Sequence, residues 1–198
     1  SYNQVIKLID RLRKNLTTKV LVVEDSVTSR NYICSLLKKF QFQIYEASDG
    51  LEALNLLAEH QDIRMVISDH RMPNMDGYEL IKAIRHERRM QDLIFIGLSG
   101  TNDGVLSSKF IKSGANDFLS KPFYHEEFFC RVMQNLEAQE MIQTIRQSAN
   151  IDPLTQVYNR RYLIEQGEEI LAQDTSTSAV TVCMIDIDNF KSVNDNQG

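Results

Sequence analysis

The chain has 198 residues, of which 42% are hydrophobic and 25% charged, the make-up of a water-soluble globular protein with room for one ordinary domain and part of another. No apolar run approaches the ~20 residues needed to cross a bilayer, and no signal peptide is visible. The net charge of −5 falls entirely on residues 151–198, where eight acids face Arg160, Arg161 and Lys191, so neither part has the basic face of a nucleic-acid binder.

In chain order, residues 4–16 set Val5, Ile9, Leu12 and Leu16 at 4, 3, 4 spacing, which predicts an amphipathic helix. It is either the tail of an upstream domain or a packing arm, and it occupies an N-terminal piece of residues 1–18. Residues 19–121 then alternate strand and helix signals five times. The strand runs that carry the argument are KVLVVED (19–25), MVISD (65–69), LIFIGLS (93–99) and DFLSK (117–121). Near-continuous Val/Ile/Leu runs indicate parallel strands buried on both faces. Helices are expected over 27–39, 50–60, 76–89, 103–113 and from 123 onward. Turn residues punctuate them: Asp49–Gly50, Pro73, Asp76–Gly77, Asn102–Asp103–Gly104 and Gly114. The pattern is a doubly wound α/β sheet.

The last of these helices has no Gly or Pro from Phe123 to Ala149. Phe128, Val132 and Leu136 can face the sheet. Ala138, Ile142, Ile145 and Ala149 continue as a seam suited to a second helix. The domain built on the sheet therefore spans 19–137, a linker helix 138–150, and a further region 151–198. That region has Pro153 as a helix breaker, a helix near 160–172 and a strand VTVCMID (180–186). Its 48 residues are too few for an independent core. Cys34, Cys130 and Cys183 are sparse and odd in number, which argues for reduced core thiols in a cytoplasm rather than a disulfide framework. The chain begins with Ser1 and is read as a piece excised from a longer protein.

Strand ends decide the chemistry. In a parallel α/β sheet, ligands collect beyond the carboxyl ends of the strands. Glu24 and Asp25, Asp69, Ser99 and Lys121 close strands one, three, four and five. Three crowded carboxylates repel one another, and a hard divalent cation such as Mg2+ relieves this through oxygen ligands. A carboxylate can also attack phosphorus, with the cation and Lys121 spreading charge over the phosphoryl oxygens and Ser99 donating to one of them. A second acidic stretch, Asp186-Ile187-Asp188 followed by Phe190, Lys191 and Asn194, can bracket a cation that also grips nucleotide phosphates. The Asn194 amide suits a base edge.

Residues 19–122 resemble the receiver domain of two-component response regulators. The motifs are VLVVEDS, ISDHRMPNMDG, GLSG and DFLSKPF, and the D-x-x-M-P-x-M-D-G run from Asp69 to Gly77 is highly specific. The resemblance implies the strand order 2-1-3-4-5 and a cis Lys121–Pro122 bond. It implies that Asp69 accepts phosphate from a histidine kinase or phosphotransfer protein. It further implies that Glu24, Asp25, Asp69 and the Arg71 backbone carbonyl hold Mg2+, that Ser99 and Lys121 contact the phosphoryl group, and that Ser99 and Phe118 form the switch.

IDPLTQVYNRR and the Asp186–Asp195 stretch resemble the start of a GGDEF diguanylate cyclase domain, an α+β fold of which 151–198 covers the first part; Gln156 replaces a common Gly. This implies that Asp186 and the Ile187 carbonyl bind metal, that Asn194 reads guanine, and that Phe190 and Lys191 lie beside the GTP phosphates. The expected parent is a cytoplasmic regulator whose receiver controls the condensation of two GTP to cyclic di-GMP. It would act as a homodimer through receiver and linker helix, with GTP and cyclic di-GMP as ligands and no nucleic acid or membrane partner. The signature loop is absent, so these residues alone are not expected to make cyclic di-GMP. The alternative is a phosphorylation-dependent scaffold or nucleotide sensor with a degenerate GGDEF domain. A transcriptional regulator is disfavoured because no basic recognition helix follows.

Overall fold

The computed structural model describes residues 2–87, 90–100, 104–172 and 181–186, with positions 188 and 195. Five parallel strands, β1 (Lys19–Val23), β2 (Gln43–Ala47), β3 (Ile63–Asp69), β4 (Ile94–Ser99) and β5 (Asp117–Ser120), stand in the order β2-β1-β3-β4-β5, the order the resemblance implies. The helices are α1 (Tyr2–Asn15), α2 (Val27–Lys39), α3 (Gly50–Glu59), α4 (Gly77–His86), α5 (Gly104–Lys112), α6 (His125–Asn150) and α7 (Arg160–Ala172).

Both faces of the sheet are covered, which is why its strands read as apolar runs rather than as an alternation. Val20, Val22, Met65, Ile67, Ile94 and Ile96 pack against Ile33 and Leu37 of α2 and Phe128, Val132 and Leu136 of α6. The alternate residues Leu21, Val23, Val66 and Phe95 pack against Leu57 of α3, Leu80, Ile81 and Ile84 of α4, and Phe110 of α5. Each fully buried side chain of this kind contributes about 1.5–3 kcal/mol. Register carries the functional residues to one edge. Val23 is opposite Ser68, Asp69 opposite Leu98, and Ser99 opposite Ser120.

Local chemistry sets the helix starts. Asp76 caps α4 in a reciprocal box: its carboxylate accepts from the Glu79 N–H at 2.8 Å, and the Glu79 carboxylate accepts from the Asp76 N–H at 3.1 Å. The helix therefore begins at Gly77, one residue later than expected, and Asp76 stands outside it. A Cβ on Gly77 would lie 2.2 Å from the Asp69 carbonyl oxygen, so only glycine lets α4 start this close to the end of β3.

The N-terminal helix departs from its expected face. Ile9 and Leu16 are exposed, whereas Asn15 is fully buried and its amide donates to the Phe40 carbonyl at 3.0 Å. Arg11 and Lys14 reach Glu140 of α6 at 2.7 and 2.8 Å. Polar side chains therefore make these contacts of α1, which a search for apolar spacing does not detect. The distal half of α6 is held in the same way, by Arg64 on Gln143 at 3.0 Å and Arg146 on Asp92 at 2.7 Å. The other face of α6 carries Ala138, Ile142, Ile145 and Ala149, all exposed.

The chain divides into residues 1–146 and 147–198. In the second unit Ile151 and Tyr158 form an isolated antiparallel bridge. The Asp152 carboxylate accepts from the Leu154 and Thr155 N–H groups at 3.1 and 2.9 Å, and Asn159 and Arg161 donate to the Ala149 carbonyl at 2.8 and 2.6 Å. In the described part of the strand expected at 180–186, residues 181–186 have no regular structure, and Val182, Met184 and Ile185 are exposed. Among the described residues no strand stands beside them, and an unpaired strand leaves its backbone groups without ladder partners. Of the thiols, Cys34 alone is in the core; Cys130 and Cys183 are exposed, against the expectation for both. Among the described residues no helix is long and apolar enough to cross a membrane.

Candidate functional site

β1 ends at Val23, so Glu24 and Asp25 sit in the loop beyond it rather than in the strand. That bend lets two adjacent carboxylates turn toward the same cleft. Glu24 is buried and Asp25 exposed, which gives the cleft a closed side and an open one. Asp69, buried, is the last residue of β3. One carboxylate oxygen from each of Glu24, Asp25 and Asp69 lies within 4.8 Å of the others. These are three hard oxygen donors in one place, a donor set that fits a divalent cation such as Mg2+ or Ca2+.

Lys121 follows β5 directly. Its ammonium bonds Asp69 Oδ1 at 2.5 Å and also bonds Glu24 Oε2, and its backbone N–H donates to the Ser99 carbonyl at 2.6 Å. The second Asp69 oxygen accepts from the Arg71 N–H at 2.9 Å. Arg30 donates to the Glu24 carbonyl at 2.5 Å. Burial raises the Glu24 carboxyl above its ordinary value, and the bond to Lys121 only partly offsets this. Burial works to lower the Lys121 ammonium, but its bonds to Asp69 and Glu24 prevail and the group is raised. Although the Lys121 bond favours a charged Glu24, burial decides the direction because almost no water reaches that side chain.

Ser99 is the last residue of β4 and buried. Phe118 is half-buried on β5, with its ring centroid 5.5 Å from that of Phe110. A Cβ on Gly97 would come 2.9 Å from the Phe110 ring and 3.1 Å from Phe118, so the glycine makes the space both rings share. The Lys121–Pro122 bond is cis. The fold thus gathers Glu24, Asp25, Asp69 and Lys121 from the carboxyl ends of three strands, with Ser99 at the end of a fourth.

Most of the second expected group lies outside the described residues. Asp186 is exposed on a stretch without regular structure and joins no cluster of three ligating side chains among the described residues. Ile187, Phe190, Lys191 and Asn194 lie outside the described residues. Two residues near the first site escaped the sequence reading. Arg30 looks like an ordinary exposed helix position. Asn74 looks like a loop filler, although its place in M-P-N-M marks it for the left-handed backbone it adopts, at φ 61°.

Residues 20–133 match the family model of the response regulator receiver domain, and residues 149–198 match that of the diguanylate cyclase GGDEF domain. A two-component response regulator of Oryza sativa subsp. japonica is 35% identical over 103 residues, covering 52% of this chain and 77% of its own length. A chemotaxis protein CheY homolog of Campylobacter jejuni subsp. jejuni is 36% identical over 108 residues, covering 53% of this chain and 82% of its own length. Among solved structures, one described as a probable two-component system response regulator/GGDEF domain protein is 44% identical with a TM-score of 0.65; the match covers 69% of this chain and 56% of that one. The signal receiver domain of an HD domain-containing protein from Pseudomonas fluorescens Pf-5 is 30% identical with a TM-score of 0.58, over 63% of this chain and 98% of that one.

Proposed function

The chain belongs to the response regulator receiver family, and from that premise we propose that phosphorylation of Asp69 by a histidine kinase or phosphotransfer protein controls a diguanylate cyclase output of the GGDEF type. The observation that carries this reading is the meeting of Asp69 with Glu24, Asp25 and Lys121 at one sheet edge. The GGDEF match over residues 149–198 supports the output, as does the two-domain solved structure of which this chain spans 56%.

In the transfer step an Asp69 carboxylate oxygen attacks the phosphorus of a phosphohistidine. The P–O bond forms as the P–N bond breaks, and the imidazole leaves with the electron pair and takes a proton. Glu24, Asp25, Asp69 and the Arg71 carbonyl are the groups that would hold Mg2+, which when bound supplies positive charge to the phosphoryl oxygens. Lys121, already on Asp69 Oδ1, has only to follow the charge outward onto the new phosphoryl group. The Ser99 hydroxyl then bonds a phosphoryl oxygen and Phe118 turns further into the space beside Gly97. For a bistable element of this kind the free-energy gap is on the order of a few kcal/mol.

The output condenses two GTP to cyclic di-GMP and two pyrophosphates, so two GGDEF domains must meet. Asp186 and the Ile187 carbonyl would bind the metal, Asn194 the guanine, and Phe190 and Lys191 the phosphate end. A homodimer through the receiver and α6 raises the effective concentration of the two domains. The exposed Ile142 and Ile145 suit that contact. Mass spectrometry after treatment with a small phosphodonor and Mg2+ tests the receiver: one phosphoryl group is expected, on Asp69. Sedimentation with and without beryllofluoride tests the dimer. A chain monomeric in both states at tens of micromolar, or unaltered association in Ile142→Glu/Ile145→Glu, removes α6 from the scheme.

A further inference from the structure

The loop that leaves Asp69 is fastened at a point remote from the carboxylates. Asp49 is the N-cap of α3, and its Oδ1 accepts from the N–H groups of Leu51 and Glu52, both at 2.9 Å. Its other oxygen, Oδ2, accepts from the Asn74 amide at 2.6 Å. Asp49 is 8% exposed, so this divided carboxylate is sheltered from competing water. One residue on, the Gly50 N–H donates to the Met75 carbonyl at 3.1 Å. A Cβ on Gly50 would lie 2.9 Å from that same carbonyl oxygen, so the two backbones touch.

The loop from His70 to Asp76 is thereby held at both ends, with His70 also bonded to the Leu98 carbonyl and the Gly77 N–H. At its start the Arg71 N–H bonds Asp69 Oδ2. At its far end Asn74 and Met75 are bonded to the first turn of α3. The Arg71 carbonyl lies between the two attachments. Asn74 holds its left-handed backbone while its side chain makes the contact, and a carboxylate acceptor makes that hydrogen bond of the stronger, charge-assisted class.

We propose that Asp49, acting through Asn74, is a positioning residue for the acidic cluster: it fixes the 70–76 loop so that the Arg71 backbone carbonyl is presented to a divalent cation. This rests on the reading of Glu24, Asp25 and Asp69 as a Mg2+ site. A backbone ligand has no rotamer of its own, so its position is as good as the loop that carries it. Partners that orient metal ligands from outside commonly govern affinity nearly as much as the ligands do. Asp49 and Asn74 also join α3 to the phosphoacceptor loop, so a change in that loop reaches the start of α3 through this bond and the adjacent Gly50–Met75 backbone bond.

Three variants separate this role from simple helix capping. Asn74→Gly keeps the left-handed backbone without strain and loses the donor. Asp49→Ser keeps a hydroxyl cap for α3 but is too short to reach Asn74. Asp49→Asn retains both contacts once the Asn74 amide turns over. Calorimetric titration with MgCl2 alone is expected to show affinity about tenfold weaker in Asn74→Gly and Asp49→Ser, with Asp49→Asn restored toward wild type. In the metal-free protein, amide exchange at Gly50 should quicken in Asn74→Gly while the strand amides keep their protection. Asp25→Ala serves as the control for the cation site itself. Wild-type affinity in Asn74→Gly, with Asp25→Ala weakened, overturns the positioning role and leaves the cation reading standing. Wild-type affinity in Asp25→Ala overturns the cation reading and this proposal with it. Should Asp49→Ser not fold, Asn74→Gly decides alone.

Discussion

Residues 1–146 and 147–198 are held together by different physics. In the first unit side chains far apart in sequence share two buried layers, and functional groups from positions 24, 69 and 121 meet because strand register carries them there. In the second unit the described hydrogen bonds are short-range ones around Asp152, Asn159 and Ala149, while Leu154, Met184 and Ile185 are exposed. A turn motif needs only its neighbours in sequence; a strand-end metal site needs a sheet. The comparison explains why the first acidic group is brought together by the sheet, while Asp186 joins no cluster of three ligating side chains among the described residues.

The largest contrast is chemical. Asp69→Asn should abolish phosphorylation by a small phosphodonor with Mg2+, read by mass spectrometry, whereas Asp186→Asn should leave it unchanged. Labelling that persists in Asp69→Asn ends the assignment. Stability should divide the same way. Phe95→Ala empties a fully buried site and should destabilise the receiver by about 3–5 kcal/mol in urea unfolding. Leu154→Ala, at a residue 90% exposed, should fall within about 0.5 kcal/mol. Equal losses would mean that the second unit has a core of its own. Gly77→Ala should lie between them, at about 1–3 kcal/mol, because its Cβ meets the Asp69 carbonyl.

How much of this was legible follows from the same division. The doubly wound sheet could be read because each strand is a short apolar run closed by a turn residue, and the site because its carboxylates and lysine end those runs. The face of α1 could not be read: its contacts are made by Arg11, Lys14 and Asn15, and apolar spacing pointed to Ile9 and Leu16 instead. The strand expected at 180–186 is absent over the described residues 181–186 because an apolar run reports what a segment can pair with, and among the described residues no strand stands beside it. Asp49 read as a turn residue; its grip on Asn74, 25 positions away, is a tertiary fact.

Two smaller effects sharpen the contrast within the receiver. Burial raises the folded Glu24 carboxyl above its unfolded value, so its protonated form is the one that folding favours. The stability it contributes is whole below the ordinary value and is lost as pH rises through the raised one. Mg2+ needs the ionised form, so Mg2+ affinity should fall as pH drops through that same window, with proton release on binding measurable in buffers of different ionisation heat. A pH-independent affinity would remove Glu24 from the ligand set. Smallest in consequence, burial pushes the Cys34 thiol up to about 11. In native protein N-ethylmaleimide should label the exposed Cys130 and Cys183 and spare Cys34.

Lys121 has a consequence beyond phosphoryl chemistry. Its side chain is 21% exposed, against 3% for Glu24 and 12% for Asp69, so the three groups pair largely out of bulk solvent. Screening at physiological ionic strength acts over about 8 Å of solvent and weakens exposed pairs most. The resting state of the switch is therefore insulated from osmotic and saline fluctuations that would shift a surface ion pair. A change in monovalent salt would leave this pairing largely as it is, whereas a proton, a divalent cation or a phosphoryl group would alter it.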